Sequence, residues 1–264
     1  MMNTTDRLRK HFQTTEFTSW GCTLAYAGLL PEEEYGLAQS ISPPYDQLTV
    51  LDLGTGGGRI AIDLAKRGFG QVQGFDYVPE FIEQARTNAD SRFPNLSFDL
   101  GDVRSLPVAS SSADVVLMWG QVLSCLPMYE DRMAALNEAN RVLRPGGHLL
   151  ASYNHFPSRK MNILLQYYVR VMRLFTRERL PIRSLPVLKR SKKFYLGALL
   201  PFRNQPHVYW HCADEAAFEV IKAGFSITGI YSSYGLRNHC LNEYEGLRKG
   251  VLYIAARKET HGSS

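Results

Sequence analysis

The sequence predicts an α/β fold built on a doubly wound parallel sheet, and three observations lead there. From residue 48 to residue 155, short apolar runs alternate with segments of helical periodicity. That alternation builds parallel βαβ units with helices on both faces of the sheet. The first run, Val50-Leu51-Asp52-Leu53, ends in glycines, Gly54-Thr55-Gly56-Gly57-Gly58, and passes directly into a helix pattern from Arg59 to Lys66. After a gap of about fifty residues the alternation resumes, with one more helix and two more strands ending near residue 256.

The elements follow in order. Residues 3–40 read as helical and aromatic, with Phe12, Phe17, Trp20, Tyr26 and Tyr35 among polar residues. Ser42-Pro43-Pro44-Tyr45-Asp46 breaks the chain before the first strand, 48–53. A helix over 57–67 follows, then a strand over 71–75 with Asp76 at its tip, then a helix through Phe81, Ile82 and Ala85. Leu96-Ser97-Phe98 is a short strand, and Asp114 to Trp119 a buried one. The helix over 129–143 is expected to stop at Arg144-Pro145-Gly146-Gly147, a Pro/Gly terminator, before the strand His148–Tyr153. Later, Asp214 is expected to cap a helix through Phe218, Val220 and Ile221, ended by Gly224. Strands 225–231 and 251–256 close the chain. The reading is one domain: a helical cap at 1–44, a ligand-binding half at 45–155, a basic helical insertion at 156–206, and a final helix with two strands at 207–258.

Composition narrows the class. With 264 residues, 45% hydrophobic and 21% charged, the chain can bury one large core. No apolar run reaches the ~20 residues that span a bilayer, and the first residues lack the hydrophobic stretch of a signal peptide. Cys22, Cys125, Cys212 and Cys240 are scattered, as in a reduced, cytoplasmic protein. His207, His211 and Cys212 lack a fourth ligand at zinc-site spacing, so no metal is expected. The net charge of +5 is uneven: residues 155–203 hold 12 Lys/Arg and one acid, Glu178, while the rest of the chain is net acidic. Such a block points to an anionic partner or surface.

The glycine turn decides between ligands. A dinucleotide loop reads G-x-G-x-x-G, whereas here the glycines fall at 54, 56 and 58 behind an acidic residue, Asp52. A carboxylate there repels a pyrophosphate but suits a cation, which disfavours a nicotinamide dehydrogenase. On these residues the chain resembles the class I S-adenosylmethionine-dependent methyltransferases, whose first motif is an acid followed by G-x-G-x-G. The resemblance covers about 45–155 well and 205–258 by pattern. It implies a mostly parallel seven-stranded sheet finished by an antiparallel hairpin, and S-adenosylmethionine as cofactor. The cofactor residues it selects are Asp52, Gly54, Thr55, Gly56 and Gly58 of the loop, Asp76 with Tyr77, Asp102 with Val103, and Trp119. Asp76, at a strand tip, is placed to accept both ribose hydroxyls and also to cap the next helix. The resemblance puts Asp102 near the adenine amino group; an Asx turn is its plain alternative.

The acceptor side is less defined. Where enzymes acting on exocyclic or amide nitrogens often carry Asn/Asp-Pro-Pro-Tyr/Phe, this chain has Met118-Trp119-Gly120-Gln121, which argues against base amino methylation. Ser42-Pro43-Pro44-Tyr45 reads as a linker turn. Ser124 and Cys125 stand where small-molecule methyltransferases often have paired histidines. His155, just past the fifth strand, is the remaining candidate base, with a surface loop histidine as the competing reading. His11, Tyr26 and His239 rank below it. The expected reaction is methyl transfer to a small-molecule acceptor. An RNA or lipid-headgroup acceptor, or a non-catalytic partner subunit, are the alternatives.

Within the insertion, Asn162, Gln166, Arg170, Arg173 and Arg177 fall on one helical face over 161–177, and apolar residues fill the others. That surface must bury against the core, a second copy in a homodimer, or a membrane interface through 161–193. The expectation is a lid over the acceptor pocket, with nucleic acid the least favoured partner.

Overall fold

A computed structural model describes residues 28–89, 93–159, 183–186, 207–241 and 249–260, together with 8, 10–12, 167, 171 and 247. The expected helix over 161–177 except residues 167 and 171, most of the insertion, and Phe17, Trp20 and Tyr26 of the cap lie outside the described residues.

Seven strands form one sheet. They are β1 (Thr49–Leu53), β2 (Gln71–Asp76), β3 (Leu96–Leu100), β4 (Ala113–Met118), β5 (Leu143–Tyr153), β8 (Phe225–Ser232) and β9 (Leu252–Lys258), in the order β3-β2-β1-β4-β5-β9-β8. β1 to β5 pair in parallel, and β9 runs antiparallel to both β5 and β8. The central strands β1 and β4 are almost wholly buried, as strands covered on both faces must be, whereas the edge strand β3 buries only Phe98. Two short strands, β6 (Ser184–Pro186) and β7 (His207–Tyr209), pair separately.

Helices cover the sheet on both sides. Against one face lie α1 (Pro31–Ser40), α2 (Arg59–Lys66) and α3 (Pro79–Asn88), with a core of Val50, Ile60, Leu64, Phe69, Ile82, Leu117 and Trp119. Against the other lie α4 (Tyr129–Val142) and α5 (Ala213–Lys222), around Leu51, Leu53, Met118, Leu136, Leu149, Tyr153 and Val220. Alternate residues of β1 serve opposite cores, as the two-residue strand period requires. A one-turn helix, α6 (Ser233–Arg237), follows β8.

Two expected boundaries move. Helix α4 does end at Val142, but Arg144-Pro145-Gly146-Gly147 belongs to β5: Leu143 pairs with Ala113 and His148 with Val115, and the extra residues bulge out with Gly146 at φ +77°. The cap of α5 is Cys212, not Asp214. Glu215, at its third position, reaches back to the Cys212 backbone N–H, and Asp214 sits in the first turn.

Candidate active site

The order places β1 beside β4, with the connections from each running to opposite sides. This switch point is where doubly wound sheets open a crevice at the carboxyl ends of their strands. The glycine loop lies there. Gly54 has φ +73°, and a Cβ on it would stand 2.5 Å from Val122 Cγ2, so only glycine fits between β1 and the 3₁₀ turn Val122–Cys125. Gly56 also has a positive φ, +54°, yet among the described residues a Cβ there would meet nothing within 4 Å. The first glycine is demanded by packing; the second leaves open room over the loop.

Two carboxylates flank that room. Asp76 ends β2 and is buried; its Oδ2 accepts from Gly56 N–H (3.1 Å) and its Oδ1 from Val78 N–H (3.0 Å). The link to the glycine loop is present, but Asp76 is not the cap expected for α3: the N-cap is Val78, which has no side-chain cap hydrogen bond, and Asp76 closes an Asx turn onto the Val78 N–H just before it. Burial pushes Asp76 up to about 6, against the opposing pull of those amide hydrogen bonds. Each oxygen keeps a lone pair that a hydroxyl can reach. Asp52 is also buried and accepts from Thr55 Oγ1 (2.7 Å). Burial raises it to about 6; the Thr55 hydrogen bond and Arg59 act in the opposite direction, and Glu33 adds to the rise. A cation held beside Asp52 would restore its charge.

Arg59 and Glu33 were not singled out from sequence. Arg59 opens α2 directly after the glycines, and its Nη1 and Nη2 donate to the Glu33 carboxylate at 2.7 and 2.6 Å. Nη1 also donates to Gly28 O, which ties α1 and the segment before it to the loop. The only sequence signal was an arginine at a helix start, where the macrodipole does not favour one.

The other candidates differ in burial and in what they bond. Asp102 follows β3, and its carboxylate is engaged by Arg104, Nε at 3.0 Å and Nη2 at 2.6 Å, while the Arg104 N–H closes an Asx turn at 2.9 Å. Val103 is buried in the same core as Phe75, on the α4–α5 face of the sheet. Tyr77 follows Asp76 at the loop, half-buried. Trp119 is a core residue, 1% exposed and packed on the α1–α2 face, so only its backbone borders the crevice. His155 is not a surface loop residue: it is 2% exposed and pairs in parallel with His211 in an isolated bridge. Ser152 and Ser124 tie the tips of β4 and β5 together, since Ser152 Oγ accepts from Gln121 N–H (3.1 Å) and Ser124 Oγ from Asn154 N–H (2.9 Å).

A glycine loop with open room, a strand-tip carboxylate reaching into it, and a second buried carboxylate fit a ligand with a ribose and a positive charge. Residues 50–147 match the family described as a methyltransferase domain. The chain belongs to the class I S-adenosylmethionine-dependent methyltransferase family. S-adenosylmethionine is the cofactor of this domain. An arsenite methyltransferase of Halobacterium salinarum is 38% identical over 107 residues, 39% of this chain and 26% of the relative. A demethylmenaquinone methyltransferase of Tropheryma whipplei is 31% identical over 183 residues, 68% of this chain and 66% of the relative. The chain thus spans 26% to 66% of the length of these curated relatives. A solved S-adenosylmethionine-dependent methyltransferase of Methanosarcina mazei superposes on 89% of this chain and 100% of its own, with a TM-score of 0.61 at 21% identity, which establishes a shared fold. Among the described residues no helix is long and apolar enough to cross a membrane.

Proposed function

We propose that this methyltransferase-family chain transfers the methyl group of S-adenosylmethionine to a nucleophilic atom of a small-molecule acceptor. The observation that carries the reading is the loop: Gly56 open above, with its N–H on Asp76 and Asp52 buried beneath. Bound there, the cofactor supplies a methyl on a sulfonium, an electrophile with a neutral thioether as leaving group. The residues of the chain bind and orient. Asp76 accepts hydroxyl hydrogen bonds, Asp52 supplies negative charge, and the Gly54–Gly58 backbone permits close approach. Positioning of this kind supplies up to about 7–11 kcal/mol of the barrier. The acceptor is placed beyond the tips of β4 and β5, against His155. The curated relatives named for arsenite and demethylmenaquinone, both small molecules, support an acceptor of that size.

A second reading rests on one observation, the 12 Lys/Arg against a single acid over 155–203. It favours an anionic acceptor, such as a lipid headgroup or RNA. One experiment separates the readings. The full chain is incubated with methyl-tritiated S-adenosylmethionine and a panel of hydroquinones, phenols, carboxylic acids, arsenite, short RNA and anionic vesicles. Label in a small molecule is expected. Label only in RNA or lipid establishes the second reading, and cofactor binding with no transfer to any of them contradicts an enzyme acting on these classes.

A further inference from the structure

His211 is the buried titratable side chain that the cofactor site leaves unexplained. It follows β7 and pairs with His155 just past the end of β5. Phe156 N–H donates to His211 O (2.7 Å), and His211 N–H donates to Asn154 O (2.8 Å). Partners in parallel register project to the same face. The two imidazoles therefore lie side by side at the carboxyl edge of the sheet, where ligands bind in this architecture. Both are buried.

The two rings are held differently. Ser124 Oγ lies 3.5 Å from Nδ1 of His211, and Glu219 Oε2 lies 3.6 Å from its Nε2. The rings of Tyr153 and Tyr209 each pack edge-on against it at 4.7 Å. Glu219 is itself fixed by Arg132, whose Nε donates to Oε2 (2.9 Å) and whose Nη2 donates to Oε1 (2.6 Å). His211 is thus held by the 3₁₀ turn after β4, by β5, β7 and α5, with its Nε2 facing the Glu219 carboxylate at 3.6 Å, beyond hydrogen-bond length and without another partner among the described residues. His155 Nδ1 is also buried with no hydrogen-bond partner among the described residues, and it has no carboxylate facing it as His211 Nε2 has in Glu219. An unpaired buried polar atom is costly, and native structures keep few of them. A ligand atom that donates to this nitrogen removes the cost.

We propose, resting on the methyl-transfer reading, that His155 Nδ1 receives the hydrogen bond of the acceptor's O–H or N–H, and that His211 is the positioning residue that holds the His155 ring for it. Burial first, then the neighbouring His211, push His155 down to about 4, so the ring is neutral and carries a lone pair throughout the neutral range. The acceptor's proton passes to this nitrogen and on to bulk solvent as the acceptor atom becomes methylated. The charged and titratable groups facing the pair are Glu219 and Glu215 of α5, Arg132 of α4, Tyr153 of β5 and Tyr209 of β7. The chemistry selects an acceptor with a hydrogen on its nucleophilic atom, a phenol, alcohol or amine, over a carbon nucleophile.

The test uses the full chain labelled with ¹⁵N-histidine, long-range ¹H–¹⁵N spectra from pH 4 to pH 8, and S-adenosylhomocysteine as the binding probe. The wild-type chain is expected to show His155 as a single neutral tautomer across the neutral range. His211→Asn is expected to let His155 average between tautomers and to raise its titration midpoint by about one unit toward the ordinary value near 6.5. In that variant kcat on the acceptor found in the labelling panel falls about tenfold or more, while the Kd for S-adenosylhomocysteine stays within about twofold. Ser124→Ala removes a single grip and serves if His211→Asn fails to fold; the same changes, smaller, are expected. An unchanged His155 spectrum and unchanged turnover in these variants overturn the proposal, as does an ordered water that keeps the Nδ1 position with acceptor bound. Absence of S-adenosylhomocysteine binding by the wild-type chain would instead defeat the methyl-transfer reading, while the spectra still report whether His211 governs His155.

Discussion

At the scale of the residue, the site rests on buried carboxyls whose protonation differs between folded and unfolded chains. Burial raises Asp52 and Asp76 to about 6 from an ordinary 3.8. The folded state therefore binds more protons in that interval, and the stability contributed by the protonated form is complete below 3.8 and lost as pH rises through 6. His155 runs the other way. Depressed to about 4, it makes the folded state bind fewer protons than the unfolded one, so its contribution is lost as pH falls from 6.5 through 4. Asp76→Asn removes one titrating carboxyl and keeps an amide oxygen for one of the two N–H groups, Gly56 or Val78, that the carboxylate accepts from. In thermal melts this variant is expected to gain on the wild type as pH rises from 5 to 7; a constant difference would show that Asp76 is not raised. Asp76 and Asp52 were legible in the sequence because they sit at strand tips beside glycines. His211 was not. It reaches His155 through a bridge spanning 56 residues of chain, and its clamp on Glu219 joins a loop to a helix whose pattern signals only an apolar face.

At the scale of the element, the loop between β1 and α2 separates what glycine does for packing from what it does for a ligand. Gly54→Ala drives a methyl into Val122 and is expected to destabilise the fold, since the 3₁₀ turn must move. Gly56→Ala meets no atom of the described residues within 4 Å; its cost to stability is the left-handed strain of about 1–2 kcal/mol. Its effect is expected in S-adenosylhomocysteine titrations instead, as a loss of affinity larger than any loss of stability. Equal affinity for Gly56→Ala and wild type would mean that the open room above the loop is not the ligand's. Strand and helix order was readable because apolar runs and periodic segments alternate over 48–155. The start of β5 was not. Arg144-Pro145-Gly146-Gly147 has the composition of a turn, and only pairing of Leu143 with Ala113, followed by a bulge, draws it into the sheet.

At the scale of the whole molecule, two ion pairs join parts of the chain far apart in sequence. Arg59–Glu33 fastens α1 to the glycine loop, and Arg132–Glu219 fastens α4 to α5, the helix that leads into the C-terminal hairpin. Arg132 is 2% exposed, and it also donates to Leu126 O and Pro127 O and lies 3.9 Å over the Tyr209 ring. Arg132→Ala leaves Glu219 buried without its partner and is expected to cost about 3–5 kcal/mol in denaturant unfolding. A loss below about 1 kcal/mol would place the pair among surface bridges of little worth. Neither pair could be read from sequence, since charge spacing along one helix says nothing about partners on another. The ligand class could, because an acid at the tip of the first strand and alternate glycines together require a cation-compatible, close-approach site. Isothermal titration of S-adenosylhomocysteine and, separately, NAD into the full chain tests that claim most directly. Saturable binding of S-adenosylhomocysteine, weakened by about 1–3 kcal/mol in Asp76→Ala, with no NAD binding, is the expected result. Saturable NAD binding with none for S-adenosylhomocysteine would contradict it.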